Sequence, residues 1–233
     1  MKTIGLIGGM SAESSIEYYR IINETIREKL GGLHSAKSVM VSVDFAEIEV
    51  LQSAGKWDQA TEIMIATARQ VENGGADFLL ICTNTMHKMA PQVEENINIP
   101  LLHIADATAE TIITQGYQTI GLLGTRFTME QEFYKDRLSN KHRLNVLIPD
   151  EEKRKTIDDV IYNELVLGKI VSASQTQYIT IIEELVESGA QGIILGCTEI
   201  GLLVTQNDCQ VPLFNTTQIH AQAAVNYALS DKN

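Results

Sequence analysis

Two stretches of the chain end in residues that can carry a proton, and they end in the same place. "GADFLLICTNT" (75–85) and "GAQGIILGCTE" (189–199) align without a gap, which sets Thr83 opposite Cys197, Asn84 opposite Thr198 and Thr85 opposite Glu199. A thiol ionises near about pH 8.5, so a few per cent is thiolate at neutral pH, and a helix N-terminus or a buried donor raises that share. A threonine hydroxyl has no comparable anion. Cys197 is therefore the expected base and Thr83 the expected donor, directly or through water. Two such carriers on opposite faces of one carbon remove a proton from one side and deliver one to the other, inverting the centre.

The neighbouring residues suit the same chemistry. Asn84, Thr85 and Thr198 fall where a strand is expected to turn into a helix, so their N–H groups and hydroxyls can hold a carboxylate. Glu199 can accept from an ammonium group. Cys82 adjoins Thr83, but side chains alternate across a strand, so Cys82 is expected to face away as a buried, inert thiol. Cys209, in polar "TQNDCQV", reads as a structural or surface thiol. Of the histidines, His103 and His220 read as packing residues and His34 and His142 as solvated. His87, in "TMHK", is placed either beside the substrate or on a plain helix surface. The charged run "DEEKRKTIDD" (150–159) reads as a solvated helix start.

The elements that must position Thr83 and Cys197 alternate along the chain. Strand-like runs "KTIGLIGG", "SVMVSVDF", "ADFLLICT", "QTIGLLGT", "RLNVLIPD" and "AQGIILGCT" are separated by helical patterns such as "ESSIEYYRIINETIREKL", "WDQATEIMIATARQVENGG" and one long pattern over 151–188. Strict alternation of this kind implies parallel sheets with right-handed crossovers. The pattern is also doubled. "TIGLIG" (3–8) returns as "TIGLLG" (119–124), the two proton-carrier stretches follow in each half, and "IPLLHIAD" (99–106) is echoed by "VPLFNTTQ" (211–218). The expected fold class is α/β: two similar domains, each a parallel β-sheet flanked by helices, related by a pseudo-two-fold axis with the active site between them. Ligands of parallel α/β sheets bind beyond the carboxyl ends of the strands, where Thr83 and Cys197 both sit.

Composition excludes several classes. The 233 residues carry a formal net charge of −12, which argues against a nucleic-acid or anionic-membrane partner, since both reward a basic face. A small anionic substrate is not excluded, but its site must be built from short-range donors. Three cysteines with no C-x-x-C spacing speak against a disulfide framework and a zinc site, and imply a reducing, cytoplasmic setting. The scattered histidines give no metal site. The glycines of "GLIGG" lack the G-x-G-x-x-G spacing of a dinucleotide fold, and no lysine is placed to form a Schiff base with pyridoxal phosphate, so no cofactor is expected.

The motifs "IGLIGGMS" (4–11), "CTNTMHK" (82–88) and "GCTEIGLL" (196–203), with the repeat that contains them, resemble the aspartate/glutamate racemase family over nearly the whole chain. The likeness is greatest to the branch called L-aspartate/glutamate-specific racemase, in which threonine stands at the first catalytic position; family members typically use two cysteines. The resemblance implies a cofactor-independent racemase of L-glutamate or L-aspartate, with Thr83 and Cys197 as catalytic residues and Cys197 on the side that deprotonates the L-amino acid. It implies substrate contacts at Met10, Gln52, Thr83, Asn84, Thr85, Thr198 and Glu199, and a homodimer. Gln52 departs from the arginine expected of a strongly acid-binding member. The resemblance further implies that the last strands exchange between halves, giving a first domain of 1–98 with 208–233 and a second of 99–207.

Enantiomers in water have equal free energies, so a preference for L can enter kcat or product inhibition but not the equilibrium. Slow turnover with an apparent L preference is the expectation. Two other functions fit the same residues. One is a related reaction on this scaffold, of the hydantoin racemase, maleate isomerase or arylmalonate decarboxylase type, none of which needs an ammonium partner. The other is a binding protein for acidic amino acids in which Thr83 cannot deliver a proton.

Overall fold

The computed structural model describes residues 1–230 and divides into two compact units, Met1–Ile104 with the chain from His220 on, and Ala105–Ile219. In the first unit, β1 (Ile4–Gly8) lies between β2 (Ser38–Ser42) and β3 (Phe78–Ile81), all parallel, and a bridge from Leu79 to Leu101 extends the order by one position. In the second, β4 (Thr119–Gly124) lies between β5 (Asn145–Leu147) and β6 (Ile193–Gly196), and β7 (Leu213–Asn215) follows β6. The duplication extends to register. Gly5 pairs with Leu79 and Leu79 with Leu101; the matching residues Gly121, Ile193 and Leu213 pair in the same way. Two α/β units with parallel sheets of one strand order are what the repeated segments imply.

Both inner strands are buried along their whole apolar run, the mark of a parallel strand covered on two faces. In the first unit the faces are separable. Ile7, Leu79 and Ile81 pack with Met64, Ala68 and Val71 of the helix Trp57–Asn73, whereas Ile4, Leu6, Phe78, Leu80 and Cys82 pack with Tyr18, Ile22 and Ile26 of the helix Ala12–Leu30 and with Ala221, Ala224 and Val225 of the helix Thr216–Leu229. Cys82 thus lies on the helix Ala12–Leu30 side, as alternation requires. The central strand of each unit carries a glycine at a point where a side chain would crowd its neighbours. A Cβ at Gly5 would stand 2.5 Å from Val71 Cγ1, and one at Gly121 would stand 2.5 Å from Ile193 Cδ1 and 3.1 Å from Leu185 Cδ1.

Four expectations change. The first crossing follows Ile104 rather than residue 98, because Leu101 still pairs with β3. The return begins at His220 rather than 208, because β7 stays hydrogen-bonded to β6 and only the helix after it goes back. The helix Phe45–Ser53 was not expected; Asp44 caps it, its Oδ1 accepting from Ala46 N at 3.0 Å. The long pattern over 151–188 breaks into the helices Glu151–Asn163 and Ser172–Glu187, parted at Gly168, whose left-handed φ of 70° ends the run.

One buried polar group sets a pH limit on the first unit. His220 is wholly buried; its Nε2 lies 2.7 Å from Leu102 O and its Nδ1 2.8 Å from Tyr18 Oη, a pairing met by a neutral ring that donates to Leu102 and accepts from Tyr18. The titratable rings beside it are those of Tyr18 and His87. Burial lowers the His220 pKa from 6.5 to about 4. The unfolded chain takes up this proton first, so the contribution of His220 is whole above about pH 6.5 and is lost as pH falls toward 4. Urea titrations at pH 7 and pH 4 are expected to differ by about 3 kcal/mol from this group. Replacing His220 with Gln should remove that share of the difference.

Candidate active site

In the second unit, Cys197 is the first residue past β6, and the strand end turns at once into the short helix Ile200–Leu203. Its thiol donates to Glu199 Oε2 at 2.9 Å, and the Thr198 hydroxyl donates to the same oxygen at 2.8 Å. All three residues are buried. The turn is tied down from the helix that follows β7: Thr216 Oγ1 donates to Leu195 O at 2.8 Å and Thr217 Oγ1 to Thr198 O at 3.4 Å. A charged carboxylate two residues from the thiol, on the same side of one turn, is the central feature of this unit.

The electrostatics run opposite to the expectation of a ready thiolate. Burial pushes the Cys197 pKa well up, Glu199 adds to the rise through its charge and its hydrogen bond, and Asp158 adds a little more. At rest the residue is a thiol. Asp158 itself sits within the run read as a solvated helix start, yet it is partly buried, its Oδ1 accepts from Arg126 N at 2.8 Å, and burial raises its carboxyl pKa. Tyr178 also lies in the field of Cys197, buried, with its hydroxyl on Ile157 O at 3.0 Å. Neither residue was singled out from the sequence. The signal available was weak: a carboxylate eight residues into a charged helix and a tyrosine on the apolar face of the next.

In the first unit, Thr83 is two residues past β3 and only partly exposed, followed by a tight 3₁₀ turn over Thr85–Met89. Asn84 and Thr85 are buried at the start of that turn. Gln52, on the helix Phe45–Ser53, sends its Nε2 to Met86 Sδ at 2.9 Å, and Met10 shares an apolar cluster with Met86 and Met89. Met10, Gln52 and the Thr83–Thr85 turn therefore belong to one unit, and Cys197, Thr198 and Glu199 to the other. The Gln52 Oε1 is buried and accepts no hydrogen bond among the described residues.

His34 is exposed and His103 and His220 are buried, as expected; His142 is the exception, and one of the two places open to His87 is ruled out. His87 is not on a helix surface but is 2% exposed, its ring 4.4 Å from that of His103. His142 is not solvated: its Nε2 lies 2.8 Å from Asp106 Oδ1, and that carboxylate also takes a two-point contact from Arg137 and one from Lys141. The three cysteines are free, and burial pushes the Cys82 thiol far up. Among the described residues no group of three or more His, Cys, Asp or Glu side chains is placed to hold a metal ion, and no helix is long and apolar enough to cross a membrane.

Comparison with known proteins adds to this geometry. The profile of the Asp/Glu/hydantoin racemase family matches residues 7–224. A crystal structure from Yersinia pestis, provisionally described as an Asp/Glu racemase, is 53% identical, covers 99% of this chain and 100% of its own, and superposes with a TM-score of 0.92. An aspartate racemase homologue from Pyrococcus horikoshii OT3 is 33% identical, with coverage of 99% and 100% and a TM-score of 0.86. The broad specificity amino-acid racemase RacX of Bacillus subtilis (strain 168) is 21% identical over 173 residues, 74% of each chain.

Proposed function

The chain belongs to the Asp/Glu/hydantoin racemase family, and on that footing we propose that it is a cofactor-independent racemase acting at the α-carbon of L-glutamate, L-aspartate or both, with Cys197 and Thr83 as its two proton carriers. The observation that carries this reading is the hydrogen bond from the Cys197 thiol to the buried carboxylate of Glu199. A buried thiol whose pKa is raised is a poor base by itself. A carboxylate 2.9 Å away gives its proton somewhere to go.

The cycle follows from that contact. Glu199 Oε2 takes the thiol proton, and the thiolate so formed removes the α-proton of the L-amino acid, becoming thiol again. The Thr83 hydroxyl hands its proton to the other face of the carbanion as it takes one from a water, which the proton held on Glu199 replaces, so that no threonine alkoxide forms. Charge and protons balance over the turn, and the D-amino acid leaves. The unmatched Gln52 Oε1 supports a substrate that brings a donor, such as an α-ammonium group. A thiol held protonated at rest fits slow turnover. The reading carries with it a cytoplasmic homodimer; free cysteines support the reducing compartment.

Incubation with L-glutamate and with L-aspartate in heavy water, without added cofactor, tests it. Loss of the α-proton signal together with growth of the D-enantiomer is the expected result. Exchange without inversion would remove Thr83 from the mechanism. No exchange with either acid, while either one raises the melting temperature, would replace the racemase by a binding protein.

A further inference from the structure

The turn that carries Thr83 is held from behind by a ring with both nitrogens in use. His87 Nδ1 lies 2.7 Å from the Thr83 carbonyl oxygen, and its Nε2 accepts from the Ile104 N–H at 3.2 Å. Only a neutral imidazole with its proton on Nδ1 satisfies both contacts. The ring is 2% exposed and packed against His103 at 4.4 Å and His220 at 5.9 Å between centroids, so it cannot swing away without opening a cavity. His220 in turn is fixed by Tyr18 and Leu102. The Thr83 carbonyl and the backbone at Leu102 and Ile104 are thus pinned to one buried set of histidines. The turn itself is 3₁₀, with poorer internal hydrogen bonds than an α-helix, and needs such support.

We infer that His87 is a positioning residue for proton delivery by Thr83, acting through the Thr83 main chain rather than on the substrate. The inference rests on the racemase reading above. A proton donor displaced by about 1 Å loses on the order of a hundredfold in rate, so a carbonyl latch one residue-length from the hydroxyl has a large lever. Its loss should affect one face of the reaction only. Removal of the α-proton by the Cys197 and Glu199 pair continues, and delivery to the opposite face fails.

The ratio of inversion to α-proton exchange in heavy water reads this directly. His87→Leu, which lacks both nitrogens, is expected to lower the ratio roughly tenfold or more while exchange stays within a few-fold of the parent protein. His87→Asn places an amide N–H where Nδ1 was and should bring the ratio back. His87→Gln places its amide at the Nε2 position and should not, so the Asn and Gln pair decides the matter if the Leu variant does not fold. An unchanged ratio in folded His87→Leu, equal ratios in the Asn and Gln variants, or a proportional fall of exchange and inversion together would overturn the latch alone. A parent protein that exchanges nothing would overturn the racemase reading and the latch with it.

Discussion

Cys197→Ser is expected to lower α-proton exchange and inversion together by about 10²–10⁴-fold, the range that a positioned acid–base group contributes. Serine keeps a small side chain that can donate to Glu199 Oε2 in the thiol's place, so the buried turn with Thr198 and its ties from Thr216 and Thr217 should survive. What is lost is acidity. A serine hydroxyl beside a carboxylate, in a site where burial and charge already disfavour an anion, has no accessible base form. The measurement is the α-proton signal of L-glutamate or L-aspartate in heavy water, with melting temperature and ligand-induced stabilisation as controls. A variant that still stabilises with ligand and retains more than about a tenth of the exchange would shift the base away from Cys197.

Glu199→Gln separates two roles that one hydrogen bond could serve. If the carboxylate receives the thiol proton, the amide cannot, and exchange should fall by about 10²–10³-fold at every pH. If Glu199 only penalises the thiolate through its charge, its removal eases ionisation of Cys197, and exchange should rise at neutral pH. The first result is expected, because the contact is short and directed from sulfur to a buried oxygen. The pH profile gives the same answer by another route. Because the thiol proton passes internally to Glu199, the reactive pair forms without loss of a proton to solvent, and kcat/KM for L-amino acid should be level through neutrality rather than follow the raised Cys197 pKa. A rate still climbing at pH 9 would mean that the thiol loses its proton to solvent and that the geometry of Glu199 has another purpose.

The sheets were legible because their signals are local and repeated. "TIGLIG" and "TIGLLG" are short apolar runs closing on glycine, and the matched segments after them fall into matched register, Gly5 with Leu79 and Gly121 with Ile193. The helix Phe45–Ser53 escaped notice because its apolar residues are spread around the helix; only Asp44, the cap, announces it. Gly168 was the one signal that the long pattern over 151–188 breaks. Sequence spacing placed Cys197, Thr198 and Glu199 side by side but could not say that the carboxylate folds back onto the thiol, since consecutive residues past a strand can point anywhere the turn allows. For the same reason the thiolate expectation inverted: burial and Glu199 are tertiary facts. His87, His103 and His220 are separated in the chain, so no spacing rule reports that the His87 ring meets the other two.

The division of the chain also bears on the order in which it can fold as it leaves the ribosome. The unit Ala105–Ile219 is one continuous segment and holds all four of its strands. The other unit begins at the N-terminus, yet one face of its sheet is finished only by Ala221, Ala224, Val225 and Ala228, from the last described helix. The half that is synthesised first therefore waits, with Ile4, Leu6, Phe78 and Leu80 incompletely covered, for more than a hundred further residues, or about 6–25 s at ordinary elongation rates. The later half has no such wait. Nascent-chain protection against aggregation is thus needed by the part of the sequence that precedes Ile104, and a stalled or truncated product lacking its final helix leaves that part exposed.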